Sequence, residues 1–310
     1  MLNRIKGLHH VTAMAGDAQR NNDFFTRVLG LRRVKKTVNF DAPDVYHLYY
    51  GDERGSPGTV MTSFPFPRIV KGSRGAGEVV ETAFAVPAGT LGWWKERLEA
   101  IGAATHGEEG RFGERRLRFS GPEGEGLALV EVPGDVRAPF ARGPVPAEKG
   151  LHGFRGVTLR LHDGAATGEL LRFMGYEEVE RENALTRYVI ADGNGADIVD
   201  IEVVPEAPPA RQGAGSVHHV AFAVEDDAAQ LEVRKALTEA RFGVTPVIDR
   251  DYFRAIYFRT PGGVLFEVAT NGPGFARDED PAHLGEALRL PAQHAHLRER
   301  LERSLPPIGD

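Results

Sequence analysis

Four stretches of the chain open on the same alternation of apolar and polar positions: Leu8-His9-His10-Val11-Thr12, Val79 to Val86, Arg155 to Leu161, and Val217-His218-His219-Val220-Ala221-Phe222. A period of two marks a strand, and starts spaced about 60 to 75 residues apart mark an internal repeat. Behind each opening strand the period lengthens to that of a helix. Asp17 is placed to cap the first helix, Phe24, Phe25, Val28 and Leu29 form its apolar stripe, and Gly30 stands where it should end. The second helix offers Leu91, Trp94, Leu98 and Ile101 before Gly102, the third starts near Asp163 and closes at Gly175, and the fourth runs from Asp226 through Leu231 and Leu237 to Gly243. Short β-type runs follow, in the last repeat Val244 to Val247, Ala255 to Phe258 and Val264 to Ala269, with Pro261-Gly262-Gly263 turning between the final two.

The repeating unit is therefore βαβββ. The predicted fold is α+β, with four such modules at 5–70, 77–133, 152–205 and 214–271 that pair into two open barrel-like lobes, and a helical C-terminal tail at 272–310. A Pro- and Gly-rich stretch from Val132 to Gly150 separates the first two modules from the last two, and a shorter linker, Pro205 to Gly215, precedes the fourth. In the tail, Leu297, Leu301 and Leu305 stand at helical spacing before Pro306-Pro307, while His283, His294 and His296 read as solvated surface residues.

Lys and Arg number 38 against 44 Asp and Glu, a net charge of −6 that leaves no basic excess for a nucleic-acid backbone. With 41% hydrophobic residues and 26% charged ones the chain can bury a sizeable core. No run approaches the ~18 apolar residues of a membrane span, and Met1 to Thr12 lacks the apolar centre of a secretory signal, so the expectation is a cytoplasmic protein with no membrane partner. The absence of cysteine excludes disulfides, thiolate nucleophiles, zinc ribbons and iron–sulfur clusters, so any metal chemistry must use nitrogen and oxygen ligands. Eleven histidines make that chemistry available.

Only the first and fourth opening strands carry histidine, and both carry it in the same frame. Superposing the two modules aligns His10 with His219, and strand alternation sends one member of each pair into the concavity and its neighbour elsewhere. Glu267 interrupts the apolar run Gly263 to Ala269 in the last strand of module four. A carboxylate buried there unpaired would cost several kcal/mol, a cost that a divalent ion shared with two imidazoles removes. Two His and one carboxylate on one face of a metal leave positions open for substrate and oxygen, the arrangement of non-heme Fe(II) oxygenases.

These residues carry a resemblance. Gly7-Leu8-His9-His10-Val11-Thr12-Ala13, Ser216 to Phe222, and Asp249-Arg250-Asp251-Tyr252-Phe253 continuing through Ile256-Tyr257-Phe258-Arg259-Thr260-Pro261-Gly262-Gly263-Val264-Leu265-Phe266-Glu267 make the chain similar, over nearly its whole length, to the vicinal-oxygen-chelate superfamily, and within it to the hydroquinone-type ring-cleaving dioxygenases. The resemblance implies an Fe(II) ion held by His10, His219 and Glu267, with His9, Thr12, His218, Arg250 and Tyr257 around the iron and the substrate. Ligand type alone admits Mn(II) as the second choice. The implied partners are O2 and a small aromatic diol, opened to a muconic-semialdehyde-type product with His9 or His218 handling protons. A homo-oligomer is the expected assembly.

If module one supplies His10 and module four supplies His219 and Glu267, those two modules must be neighbours. Modules two and three, with Glu81-Thr82 and Arg155-Gly156 near the His position, then form a lobe without a metal site. Thr12 shares the strand face of His10, Arg250 has a salt bridge with Asp249 or Asp251 as its bland alternative, and Tyr257 has sheet packing as its own. Two competing functions are a glyoxalase-type isomerase or lyase, which needs a second carboxylate that Gly58-Thr59-Val60-Met61-Thr62-Ser63 does not offer, and a non-catalytic ligand-binding protein of the same fold. Gly75-Ala76-Gly77 precedes a strand and is no dinucleotide fingerprint, no Gly-x-Ser-x-Gly occurs, and Trp93-Trp94 reads as helix packing.

Overall fold

The computed structural model describes residues 2–309. Module one comprises β1 (Leu8–Ala15), α1 (Ala18–Asp23), β2 (Arg32–Val38), β3 (Tyr46–Gly51) and β4 (Val60–Pro65). Module two comprises β5 (Glu78–Val86), α2 (Leu91–Ala100), β6 (Thr105–Arg111), β7 (Glu114–Ser120) and β8 (Gly126–Glu131), and module three β9 (Phe154–Leu161), α3 (Ala165–Phe173), β10 (Glu177–Glu182), β11 (Leu185–Val189) and β12 (Ile198–Val203). Module four comprises β13 (Val217–Val224), α4 (Asp227–Glu239), β14 (Ile248–Asp249), β15 (Phe253–Arg259) and β16 (Leu265–Pro273), and the tail carries α5 (Arg298–Ser304). Every module is βαβββ, as the repeat predicts.

The strands form two eight-stranded sheets. One runs β14-β15-β16-β13-β1-β4-β3-β2 and joins modules four and one; the other runs β10-β11-β12-β9-β5-β8-β7-β6 and joins modules three and two. Each sheet is sealed at its centre by an antiparallel pair of opening strands, β1 with β13 and β5 with β9. The helices cover the apolar outer faces through Phe24, Phe25, Trp94, Leu98, Leu171, Val233 and Leu237, all buried, which leaves the inner faces free for polar chemistry.

Local signals in the sequence explain most helix ends. Asp17 and Asp226 accept hydrogen bonds from the amides of Arg20 and Ala229, the N-cap arrangement. After Asp23 the first helix widens into a π-turn over Phe24–Val28 that turns both phenylalanines inward, and it stops at Gly30, whose φ of +72° suits glycine. Elsewhere the expectations need correction. Ile101 and Leu231 are exposed and do not belong to the buried stripes. The fourth helix ends before Arg241, which adopts φ +66°, so the reversal lies ahead of Gly243. Val244 to Val247 is not a strand: Pro246 has no amide to donate, and the segment is tied to β15 through Thr245, leaving only Ile248–Asp249 paired.

The tail contains 3-10 turns at Phe275–Arg277 and Pro281–His283, a six-residue 3-10 segment at Ala292–Leu297, and one helix, α5, which buries Leu301, with Leu305 buried just beyond its end. His283 and His296 are exposed, but His294 is half-buried, its Nε2 2.9 Å from the Phe40 carbonyl. The tail is pinned to β2 by Lys35, which has no exposed surface, sits 2.6 Å from Asp278 and also pairs with Glu279, and lies 4.7 Å above the Tyr252 ring. Arg33 donates to the Gly285 carbonyl, and Lys36 bridges to Leu288. Among the described residues, no helix is long and apolar enough to cross a membrane.

Candidate metal centre and its cavity

β1 is buried along its whole length, so every polar residue on it must find a partner inside the fold. The sheet register sets Thr12 opposite His219 and His10 opposite Ala221, and Ala221 in turn beside Glu267. The three candidate ligands thereby converge from adjacent strands. The Nε2 atoms of His10 and His219 are 3.2 Å apart, and Oε2 of Glu267 is 2.9 Å from the second and 3.5 Å from the first. This is the one cluster of at least three potential metal-ligating side chains among the described residues.

Donors held about 2.1 Å from one ion at right angles stand about 3 Å apart, and these three do. Glu267 is wholly buried, and its oxygens have no well-formed hydrogen bond; what faces them is the pair of imidazoles, 2.9 and 3.5 Å away. Burial pushes its carboxyl up, but the imidazoles of His10 and His219 outweigh burial and hold it well below the usual carboxylate range. A charged carboxylate facing two imidazole nitrogens is a donor set shaped for a divalent cation.

The paired histidines divide their labour. Nδ1 of His10 lies 2.9 Å from Nδ1 of His9, and Nδ1 of His219 lies 2.7 Å from Nδ1 of His218. With Nε2 of each inner histidine directed at the cluster, its Nδ1–H donates to its neighbour, which fixes tautomer and ring orientation. Burial foremost, then His10, lowers His9 to about 3; burial foremost, then His219, lowers His218 to about 4, so both outer rings are neutral at pH 7. They differ in access. His218 lines the cavity above the cluster, whereas His9 lies behind it against Phe253, 5.2 Å between ring centres.

That cavity measures about 340 Å³. Phe40, Phe64, Phe66, Phe253 and Tyr49 give it aromatic walls, and all its lining residues belong to modules one and four except Gln212 of the linker. Arg250 stands at its edge, its Nε 3.2 Å from Tyr257 Oη and its Nη atoms 3.2 and 3.4 Å from Asp41, so its ionic partner is neither Asp249 nor Asp251. Tyr257 is paired across the strands with Glu267 and meets the His219 ring edge-on at 5.8 Å, so it belongs to the site as well as to the sheet. Thr12 lies beneath, with Oγ1 2.8 Å from Thr62 Oγ1, and does not line the cavity.

His47 escapes sequence reasoning. It lines the cavity from β3, its Nε2 2.9 Å from Thr62 Oγ1 and its Nδ1 2.8 Å from Tyr49 Oη. A single histidine without a repeat partner carries no spacing signal; the available clue is Tyr46-His47-Leu48-Tyr49-Tyr50, where His47 and Tyr49 share one face of a buried strand.

The sequence profile of the Glyoxalase/Bleomycin resistance protein/Dioxygenase superfamily matches residues 7–268. The chain belongs to this superfamily. Among its relatives in the superfamily, MhqO of Bacillus subtilis (strain 168), named a candidate ring-cleaving dioxygenase, is 42% identical over 99% of this chain and 98% of its own. A chain from Sphingobium indicum (strain UT26S) named chlorohydroquinone/hydroquinone 1,2-dioxygenase is 36% identical over 97% of this chain and 96% of its own. A crystal structure of a dioxygenase candidate from B. subtilis strain 168 superposes with a TM-score of 0.95 at 41% identity, covering 99% of this chain and 98% of that one.

In this superfamily member only one lobe keeps the histidines. The two sheets share one register: Glu81 and Thr158 are paired as His10 and Ala221 are, Asp200 stands beside Thr158 as Glu267 does beside Ala221, and Arg187 faces Asp200 as Tyr257 faces Glu267. Gly156 takes the place of His219, and a Cβ there would sit 2.4 Å from the Ile198 carbonyl oxygen, so no ligand can be restored without moving β12. The carboxylates of the second lobe are answered by guanidinium groups, Glu81 by Arg111, Arg116 and Arg118, and Asp200 by Arg187. Within module one, Thr62 is paired with Thr12 as Glu267 is with Ala221, so the fourth, carboxylate ligand of a glyoxalase-type site is missing.

Proposed function

We propose that the cavity is the active site of a non-heme Fe(II) ring-cleaving dioxygenase that inserts both atoms of O2 into a hydroquinone-type or catechol-type aromatic diol and opens the ring to a muconic-semialdehyde-type product. The observation that carries this reading is the buried Glu267 carboxylate within 2.9 and 3.5 Å of two histidine Nε2 atoms at the base of an aromatic-walled cavity. The names borne by the 42% and 36% identical relatives support it.

His10, His219 and Glu267 would hold the ion, with Mn(II) the less favoured occupant. The chemistry supplied by bound iron is electron transfer between diol and O2, and three protein ligands leave coordination positions for both. The chain supplies the rest. Phe40, Phe64, Phe66 and Phe253 bury the faces of a single aromatic ring and exclude water. His9 and His218 keep the ligand imidazoles in register through their Nδ1 atoms. His218 reaches the cavity where His9 does not, and because its Nδ1 accepts from His219 its Nε2–H is left to donate a hydrogen bond to an oxygen of the bound substrate. Arg250, anchored by Asp41 and Tyr257, places a fixed positive charge beside the developing carboxylate.

Anaerobic reconstitution with Fe(II), followed by oxygen uptake and absorbance with hydroquinone, methylhydroquinone and catechol, tests this function. The expected result is diol-dependent oxygen uptake with a new semialdehyde absorbance, abolished in Glu267→Ala together with iron binding. A chain that binds iron and oxidises no diol would remove the dioxygenase reading; one that binds no metal would leave a ligand-binding protein.

A further inference from the structure

The cavity holds few charges. Among its described lining residues Arg250 is the one Lys or Arg, and Asp41 and Glu267 are the carboxylates. Glu267 faces His10 and His219, which leaves Asp41 to answer Arg250. It does so from the loop between β2 and β3, its oxygens 3.2 and 3.4 Å from the two Nη atoms, so the pair at the edge of the cavity carries no net charge.

The two partners are not held alike. The Arg250 side chain is 16% exposed, its Nε is 3.2 Å from Tyr257 Oη, and its guanidinium carbon lies 5.7 Å from the centre of the Phe40 ring and 5.4 Å from that of Tyr257. The Asp41 side chain is 78% exposed, and among the described residues Arg250 is its one hydrogen-bonding partner. The Asp41 backbone is fixed by Asn39, whose Oδ1 accepts the amides of Asp41 and Ala42 at 2.9 and 3.2 Å, so the freedom is that of the side chain alone. Charge-assisted hydrogen bonds close to about 2.8 Å when both groups are fixed. This pair is longer and has one partner in water, and an exposed ion pair shifts an equilibrium by about two- to fivefold. Arg250 stays, and Asp41 is free to leave it.

Oxidative ring opening changes the charge of what the cavity holds. An uncharged diol and O2 enter, and the bond between a hydroxyl-bearing ring carbon and its neighbour breaks. One oxygen atom turns the first carbon into a carboxylic acid, the other turns its neighbour into an aldehyde, and the acid loses its proton to water at neutral pH. The product is therefore an anion formed beside the one guanidinium of the cavity. An unopposed Arg250 would retain it, because hydrogen bonds between charged groups are the strong ones.

We propose that Asp41 is the product-releasing residue of this site: its carboxylate competes with that of the product for Arg250, so a neutral diol binds without disturbing the pair and the anionic product is driven off it. The proposal rests on the dioxygenase reading. A competitor tethered in the loop raises the dissociation constant of the product by the factor that the Arg250 and Asp41 pair is itself worth, and does nothing to a ligand without charge.

The test uses the full-length Fe(II)-loaded protein and Asp41→Asn, which keeps the shape of the side chain and removes its charge. Anaerobic calorimetry compares benzoate, a single ring bearing a carboxylate, with benzyl alcohol, the same ring without charge, and progress curves with hydroquinone measure inhibition by added product. Asp41→Asn should bind benzoate about two- to fivefold more tightly, leave benzyl alcohol where it was, and lower the product-inhibition constant by the same factor. In an Arg250→Gln background the substitution should have no such effect, since the competition is for that guanidinium. Benzoate affinity that does not rise, a rise shared by benzyl alcohol, or a rise that persists without Arg250 overturns the release role, while diol-dependent oxygen uptake by wild type keeps the dioxygenase standing. A wild type that oxidises no diol removes the reaction and the release role together.

Discussion

A carboxylate that lies wholly inside an apolar strand is an unusual residue to keep, and at Glu267 the stability of this chain meets its chemistry. Glu267→Gln retains the shape and removes the charge. With no metal bound, that variant should be less stable than wild type at neutral pH, because against burial the imidazoles of His10 and His219 hold the carboxyl below its usual range and so favour its charged form in the fold. Its affinity for Fe(II) should collapse as well. Denaturant titration of the metal-free forms and iron titration of the refilled ones check the two halves separately. The three candidate ligands were legible in the sequence because His9-His10 and His218-His219 recur in one frame of a repeat and Glu267 breaks an apolar run. His47 and Tyr49 were not, since an isolated histidine and a strand tyrosine look the same whether they pack or bind. The partner of Arg250 was equally hidden, because Asp41 reaches it from another module, 209 positions away.

At the scale of elements, the repeat fixed the order of strands and helices, while side-chain placement decided where it was misread. The run Val244 to Val247 has the composition of a strand, but Pro246 deprives the sheet of a donor there. Ile101 and Leu231 continue a helical period on faces that nothing covers. The tail was the least readable part, since leucine spacing shows α5 but not the ionic anchor of β2. Lys35 is buried against Glu279, itself 2% exposed, so removing its ammonium leaves that carboxylate inside the fold with only the Gly285 amide and Arg289, 3.5 Å away. Lys35→Met should cost about 3 kcal/mol in the denaturant midpoint and expose the tail to proteolysis. Asp226→Ala, which removes the cap of α4, should cost about 1 kcal/mol.

The whole molecule should lose stability towards acid in a way that its buried imidazoles dictate. His9 is driven down to about 3 and His47 well below its ordinary value, both chiefly by burial and next by His10. An unfolded histidine titrates near 6.5, so below that pH the unfolded chain takes up protons that the folded chain refuses, and the balance shifts towards unfolding. Each such residue contributes about 1.4 kcal/mol per pH unit below 6.5. With His218, lowered to about 4, counted beside His9 and His47, the metal-free protein should be about 4 kcal/mol less stable at pH 5.5 than at pH 7.5, as measured by denaturant unfolding.

The shared register of the two sheets has a further consequence. Where one lobe leaves a negative charge to be answered from outside, the other has written the answer into its own chain as Arg111, Arg116, Arg118 and Arg187. On the function proposed above, one half of the molecule depends on the metal supply of its surroundings and the other is indifferent to it. Under metal starvation the protein should fall silent without falling apart, waiting as a folded apoprotein whose self-sufficient half keeps the empty half ready to be refilled.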